Sequence, residues 1–107
     1  MSAKSMDTLI TESMHDRWAK LRSHKRIISR VKLRLEWEEG PAKRTANAVT
    51  VDVSYSGCMA VVGAALPLKQ RVSIVNPSSG RKASAQVDLF HQVTACRTAR
   101  IRMLLDQ

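Results

Sequence analysis

The stretch VKLRLEWE, residues 31 to 38, alternates apolar and charged side chains without a break. Its apolar positions are Val31, Leu33, Leu35 and Trp37. A period of two residues places successive side chains on opposite faces of a β-strand. We therefore predict a strand here, with one face in a hydrophobic core and a charged face in solvent.

Five further strands are predicted downstream. Gly40 and Pro41 break the first strand, and Val49, Val51 and Val53 then alternate with polar residues in a second one. The others are expected at residues 58 to 62, from 72 to the turn at 76 to 80, at 84 to 90 and at 99 to 105. Six short strands joined by tight turns favour a small antiparallel barrel or sandwich, because closure removes exposed strand edges.

Upstream of these strands, residues 6 to 21 predict a short amphipathic helix. Asp7 is a candidate N-cap, and apolar residues recur at spacings of three to four. These apolar residues are Leu9, Ile10, Met14, Trp18 and Leu21. We therefore expect an N-terminal helix or arm over residues 1 to 21, followed by a β-barrel domain over residues 22 to 107.

Length and composition limit the class of protein. A chain of 107 residues suits one domain, and 44% hydrophobic with 25% charged residues is typical of a globular fold. No apolar run reaches the roughly 18 to 20 residues of a membrane span, and the N-terminus has no signal-peptide pattern, so a cytoplasmic protein is expected. Cys58 and Cys96 lie far apart without neighbouring ligands, so we predict no disulfide framework, no metal site and no cofactor.

The charge points to anionic partners. The chain has 18 Lys and Arg against 9 Asp and Glu, a formal net charge of +9. Eight of the basic residues lie between Arg17 and Arg34, where no acidic residue occurs. Such a run is compatible with a solvated face or with an anion-binding site. No His-x-x-x-His, Cys-x-x-Cys or glycine-rich phosphate loop is present, so an enzyme is not expected.

Two short motifs indicate which kind of anion the basic chain could bind. Arg22 and Arg26 form an Arg-x-x-x-Arg before the first strand, and Asp52, Ser54 and Gly57 form an Asp-x-Ser-x-x-Gly at the end of the second. Guanidinium groups pair with the O6 and N7 edge of guanine and stack on bases. An aspartate accepts hydrogen bonds from guanine N–H groups, a serine hydroxyl bonds phosphate oxygen, and a glycine permits close backbone approach. Together the motifs predict a site for a guanine-bearing phosphodiester.

The order of the motifs, their separation by about one hairpin and the surrounding strand pattern closely resemble the PilZ domain family, over roughly residues 22 to 105. The resemblance implies an all-β, six-stranded antiparallel PilZ-like β-barrel that binds the bacterial second messenger cyclic di-GMP. By similarity, Arg22, Arg26, Asp52, Ser54 and Gly57 are the cyclic di-GMP-binding residues. A second register, Arg26 with Arg30, leaves open whether Arg30 contributes to the site.

The resemblance further implies a stand-alone receptor or adaptor in second-messenger signalling. Ligand binding would reorder the N-terminal segment, and the change would reach an unidentified downstream protein partner. The chain departs from the family at its last strand, where Arg100 and Arg102 replace more apolar residues, and near Asp88, where relatives carry Trp or Arg.

Two alternatives remain open. One is a PilZ-type adaptor that acts through protein contacts without ligand. The other is a small basic barrel that binds nucleic acid, which the low aromatic content disfavours because single-strand binders use several exposed stacking rings. Only 4% of this chain is aromatic, and the strand alternation assigns Trp37 to the core.

Overall fold

The computed structural model describes Met6, Leu9 and residues 26 to 104. The described residues form seven strands in one sheet: β1 (Ile27–Ile28), β2 (Lys32–Glu39), β3 (Ala42–Ser54), β4 (Gly57–Val62), β5 (Arg71–Val75), β6 (Lys82–Val93) and β7 (Cys96–Met103). No helix among the described residues is long and apolar enough to cross a membrane.

Six of the strands close into a barrel. Around the sheet the order is β3, β2, β5, β6, β7 and β4, and β4 returns to pair with β3. Every pairing is antiparallel. The short β1 is an addition that pairs with the C-terminal part of β3. The predicted all-β class and six-stranded antiparallel barrel are therefore confirmed, and the sandwich is not what forms.

The core lies inside the barrel and follows the alternation of β2. Leu33, Leu35 and Trp37 are buried, as predicted, while the residues between them are partly or fully exposed. Met6 and Leu9 are fully buried in the same core. The remainder of the predicted helix over residues 6 to 21 lies outside the described residues, so the helix stays a prediction.

Two hydrogen bonds attach the N-terminal residues to loops of the barrel. The Met6 N–H donates to the Tyr55 carbonyl at 3.2 Å, in the turn between β3 and β4. The Asn76 side-chain amide donates to the Leu9 carbonyl at 3.1 Å, after the end of β5. Both loops lie at the end of the barrel where β3 finishes and β4 begins, so Met6 and Leu9 belong to this end.

The predicted alternation of the second strand is wrong. Val49 and Val51 are exposed, and the buried positions of β3 before its irregularity are Ala46, Ala48 and Thr50. The register against β4 shifts between Thr50 and Asp52, which is the signature of a β-bulge. The extra residue changes the phase of the strand, so Val53 faces the core whereas the two earlier valines do not.

Thr50 holds the chain at this bulge. Its hydroxyl accepts a hydrogen bond from the Val31 N–H at 2.8 Å and donates to the Ser29 carbonyl. Its own N–H donates to the Val31 carbonyl at 3.0 Å. Because Ser29 and Val31 belong to the connection between β1 and β2, one buried threonine fixes the segment that follows Arg26 against β3.

Replacing Thr50 by Val is expected to lower the free energy of unfolding by about 1 to 3 kcal/mol, because the isosteric side chain leaves the half-buried Val31 N–H and Ser29 carbonyl without their hydroxyl partner. The matched control is Thr45→Val, an exposed position on the same strand, with an expected change within about 0.5 kcal/mol. Urea unfolding monitored by tryptophan fluorescence measures both. Equal stability of the two variants would contradict this role for Thr50.

Candidate functional site

Arg26 and Asp52 form an ion pair across 26 residues of sequence. The guanidinium Nε and Nη2 atoms donate to Asp52 Oδ1 at 3.1 and 2.7 Å. Arg26 directly precedes β1, and the pairing of Ile28 with Asp52 brings it beside β3. The side chains are 42% and 27% exposed, so the pair is open to solvent and to ligands.

Ser54 and Gly57 lie on either side of the tight turn that joins β3 to β4. The Ser54 hydroxyl donates to the Gly57 carbonyl at 3.3 Å, and the side chain is buried. In this conformation the hydroxyl hydrogen is used within the turn, although its oxygen lone pairs can still accept a hydrogen bond. Ser54 therefore supports the turn as well as lining the site.

Gly57 is required by the close approach of β4 to β7. A Cβ atom at this position would lie 2.1 Å from the Ile101 carbonyl oxygen, which is a backbone atom and cannot swing aside. Gly57 pairs with Arg102 in the same ladder. The glycine of the second motif thus brings the turn against the strand that carries Arg102.

Gly57→Ala is expected to destabilise the barrel by about 2 kcal/mol or more, because the added methyl group forces β4 away from β7. Gly63→Ala is the matched control, since its added atom would meet the Asn47 carbonyl oxygen at 3.5 Å and the Asn47 nitrogen at 3.8 Å, both ordinary contacts. Thermal unfolding of the two variants compares them directly. A Gly57→Ala protein as stable as Gly63→Ala would contradict the close contact.

A pocket of about 170 Å³ lies where these elements meet, and we name it the Arg26 pocket. Its lining residues are Arg26, Ser54, Ser56, Gly57, Cys58, Asp88, Arg100, Ile101 and Arg102. Three of the predicted site residues line it directly, and Asp52 joins it through its ion pair with Arg26. Arg22 lies outside the described residues. Arg30 is exposed and is not among the lining residues.

The structure adds three charged residues that the motifs did not include. Asp88 Oδ2 accepts a hydrogen bond from Arg102 Nε at 2.9 Å. The side chain of Arg100 makes no hydrogen bond or ion pair with any residue that the structure describes. The sequence signalled both arginines only as an unusual pair of charges on the last strand, whereas Asp88 reaches the pocket through a register shift between Val87 and Leu89.

Cys58 lies at the floor of the Arg26 pocket. Burial raises the pKa of its thiol to about 12, and the charge of Asp52 acts in the same direction while Arg26 opposes it. A protonated, buried thiol is a poor nucleophile. Cys58 therefore serves packing, in agreement with its place in the hydrophobic core.

The two cysteines are expected to differ sharply toward a thiol reagent. At about pH 8 the exposed Cys96 reacts rapidly, whereas Cys58 reacts only after denaturation, because its raised pKa keeps the thiol protonated. Titration of free thiols with and without denaturant should yield one and two equivalents. Cys96→Ser should abolish the rapid phase, and a rapid phase that persists in this variant would contradict the burial of Cys58.

A larger pocket of about 530 Å³ lies elsewhere, between β2 and β5. Its lining includes Glu36, Glu38 and Arg71 but none of the predicted site residues. With two carboxylates and one guanidinium it is less suited to an anion than the Arg26 pocket. Among the described residues, no group of three His, Cys, Asp or Glu side chains lies together in a way that could hold a metal ion.

Comparison of the chain with protein-family models, with curated proteins and with solved structures gives no match. The functional interpretation therefore depends on the residues and their geometry. Among the described residues, that geometry gathers parts of both motifs at one end of a barrel and surrounds them with arginine and aspartate. The chemistry of these side chains suits a ligand that carries negative charge together with hydrogen-bond donors.

Proposed function

We propose that this protein is a cyclic di-GMP-binding receptor or adaptor of the PilZ type, which reorders its N-terminal segment on binding and signals to a partner protein. The observation that carries the proposal is the ion pair between Arg26 and Asp52, which joins the two motifs beside one pocket. The role is one of binding, without a catalytic step.

The chemistry of the pair suits a guanine nucleotide. Two of the five N–H donors of Arg26 are used by Asp52, and the others have no partner among the described residues, so they can meet a phosphate oxygen or the O6 and N7 edge of guanine. Asp52 Oδ2 accepts no hydrogen bond from the described residues and is available to guanine N–H groups. In our proposal the ion pair orients both side chains before the ligand arrives.

The size of the pocket supports a mechanism in which another segment covers the ligand. Small-molecule sites commonly enclose about 300 to 1,000 Å³, so the Arg26 pocket holds only part of a cyclic dinucleotide. We infer that the segment carrying Arg22 completes the site. The bond from Met6 to Tyr55 links the N-terminal region to the turn between Ser54 and Gly57, which offers a route from ligand to partner.

Nucleic acid is the second candidate, favoured by the charge of +9. The described aromatic side chains disfavour nucleic-acid binding. Trp37 is buried, Phe90 is partly buried against the core, and Tyr55 is 37% exposed. One exposed ring among the described residues is a poor platform for stacking successive bases. The solvent-open ion pair between Arg26 and Asp52 beside a pocket favours ligand binding over a ligand-independent adaptor.

Calorimetric titration with cyclic di-GMP at about 150 mM salt tests the proposal. We expect micromolar or tighter binding, and an affinity at least tenfold lower for Arg26→Ala, which removes a charge-assisted contact worth about 1.5 to 3 kcal/mol. Arg44→Ala is the matched control, because Arg44 is an exposed arginine near the start of β3 and does not line the Arg26 pocket. It should retain the wild-type affinity.

Linear di-GMP and a short single-stranded DNA complete the experiment. Weak binding of both, beside tight binding of the cyclic ligand, is the expected pattern. No heat with cyclic di-GMP, together with unchanged amide chemical shifts, would overturn the proposal. Binding of the DNA alone, with equal losses in the two arginine variants, would instead support the nucleic-acid alternative.

A further inference from the structure

A single carboxylate oxygen in the Arg26 pocket has an unusual environment. Asp88 Oδ1 is buried and accepts no hydrogen bond from the residues that the structure describes. The other oxygen, Oδ2, is bonded to Arg102 Nε at 2.9 Å, so the side chain is fixed in orientation. Buried polar atoms nearly always have partners, and each exception calls for a physical explanation.

The backbone of β6 accounts for the position of this carboxylate. Val87 pairs with Ile101 and Leu89 pairs with Arg100, which leaves Asp88 without a residue opposite it. A β-bulge of this kind redirects a side chain and is frequent next to binding sites. The register shift thus brings a carboxylate into a pocket whose other charged side chains are arginines.

Asp88 and Arg100 together specify the ligand chemistry. Asp88 Oδ1 requires an N–H or O–H donor, and the exposed Arg100 side chain, which has no side-chain partner among the described residues, offers donors to an anion or an acceptor. A simple anion without a donor, such as sulfate, satisfies Arg100 but is repelled by Asp88. A guanine nucleotide satisfies both, because its N1 and N2 groups are donors and its phosphate is an anion.

We propose that Asp88 is a base-recognition residue, whose Oδ1 accepts a hydrogen bond from the N–H edge of a guanine that enters the Arg26 pocket. This inference rests on the proposed function and adds to the two motifs a residue that neither contains. Arg102 acts on Asp88 as a positioning residue. The site then distinguishes guanine from bases that lack the exocyclic amino group.

The test compares cyclic di-GMP with cyclic di-IMP, whose bases lack that amino group. In the wild type we expect tighter binding of cyclic di-GMP. In Asp88→Ala its affinity should fall about tenfold or more, as for loss of a hydrogen bond to a charged group. The ratio of the two affinities should fall toward one. Asp88→Asn, which keeps the shape and an acceptor oxygen, should be intermediate.

Glu38→Ala is the control for charge, since it also removes one carboxylate but lies at the larger pocket. It should change neither affinity by more than about twofold. Matching amide NMR spectra establish that each variant is folded. An unchanged ratio in a folded Asp88→Ala, or equally tighter binding of both ligands, would show that Asp88 is only a counter-ion for Arg102 and would overturn the inference. Failure of the wild type to bind either ligand would overturn the proposed function and this inference with it.

Discussion

The hydrogen bonds of β3 are the interaction on which the barrel depends. Its thirteen residues pair with β2 along one edge, with β1 further along the same edge and with β4 on the other. An unpaired edge of a sheet leaves backbone N–H and C=O groups without hydrogen-bond partners, and closure of the barrel removes such edges. Because β3 pairs with β2, β4 and β1, it closes the barrel. Its pairing with β1 also places Arg26, the residue before β1, beside Asp52. Closure of the fold and assembly of the site are consequences of the same strand.

The bulge in β3 lies where the strand changes partner from β2 to β1. Between Ala42 and Val49 the partner is β2, and beyond Thr50 the partner on that edge is β1. The connection between these partners is held to β3 by backbone bonds from Thr50 to Val31 and from Ser29 to Val51. The Thr50 hydroxyl adds two more bonds to the backbone at Ser29 and Val31. The polar Thr50 is therefore buried, although the alternation of valines in the sequence predicts that Val49 and Val51 face the core. The phase change also turns Val53 inward and leaves Asp52 partly exposed beside Arg26.

The sequence predicts the regular alternation of the strands and misses the bulges that interrupt it. The alternation in β2 was sufficient for a strand, for its buried face and for the core position of Trp37. The spacing of turn residues was sufficient for six strands, although β3 begins seven residues before the predicted valines. Bulges at Val51 and Asp88 add one residue to a strand, and local composition carries no signal for that because the partner strand sets the register. Asp52 and Gly57 were found through a motif, whereas Asp88 required the three-dimensional pairing of β6 with β7.

The two aspartates also decide how the proposed site would select a ligand. A net charge of +9 attracts any polyanion and raises the rate of encounter, but it does not discriminate among anions. In the Arg26 pocket, Arg26 and Arg102 are each already paired with a carboxylate. An anion that brings only negative charge must displace or oppose those carboxylates, whereas a ligand with donors beside its charge bonds to both partners of each pair. Selectivity then arises from repulsion of anions that lack hydrogen-bond donors as much as from attraction of a ligand that has them. On this argument the overall charge governs how fast a ligand arrives, and the paired aspartates govern which ligand stays.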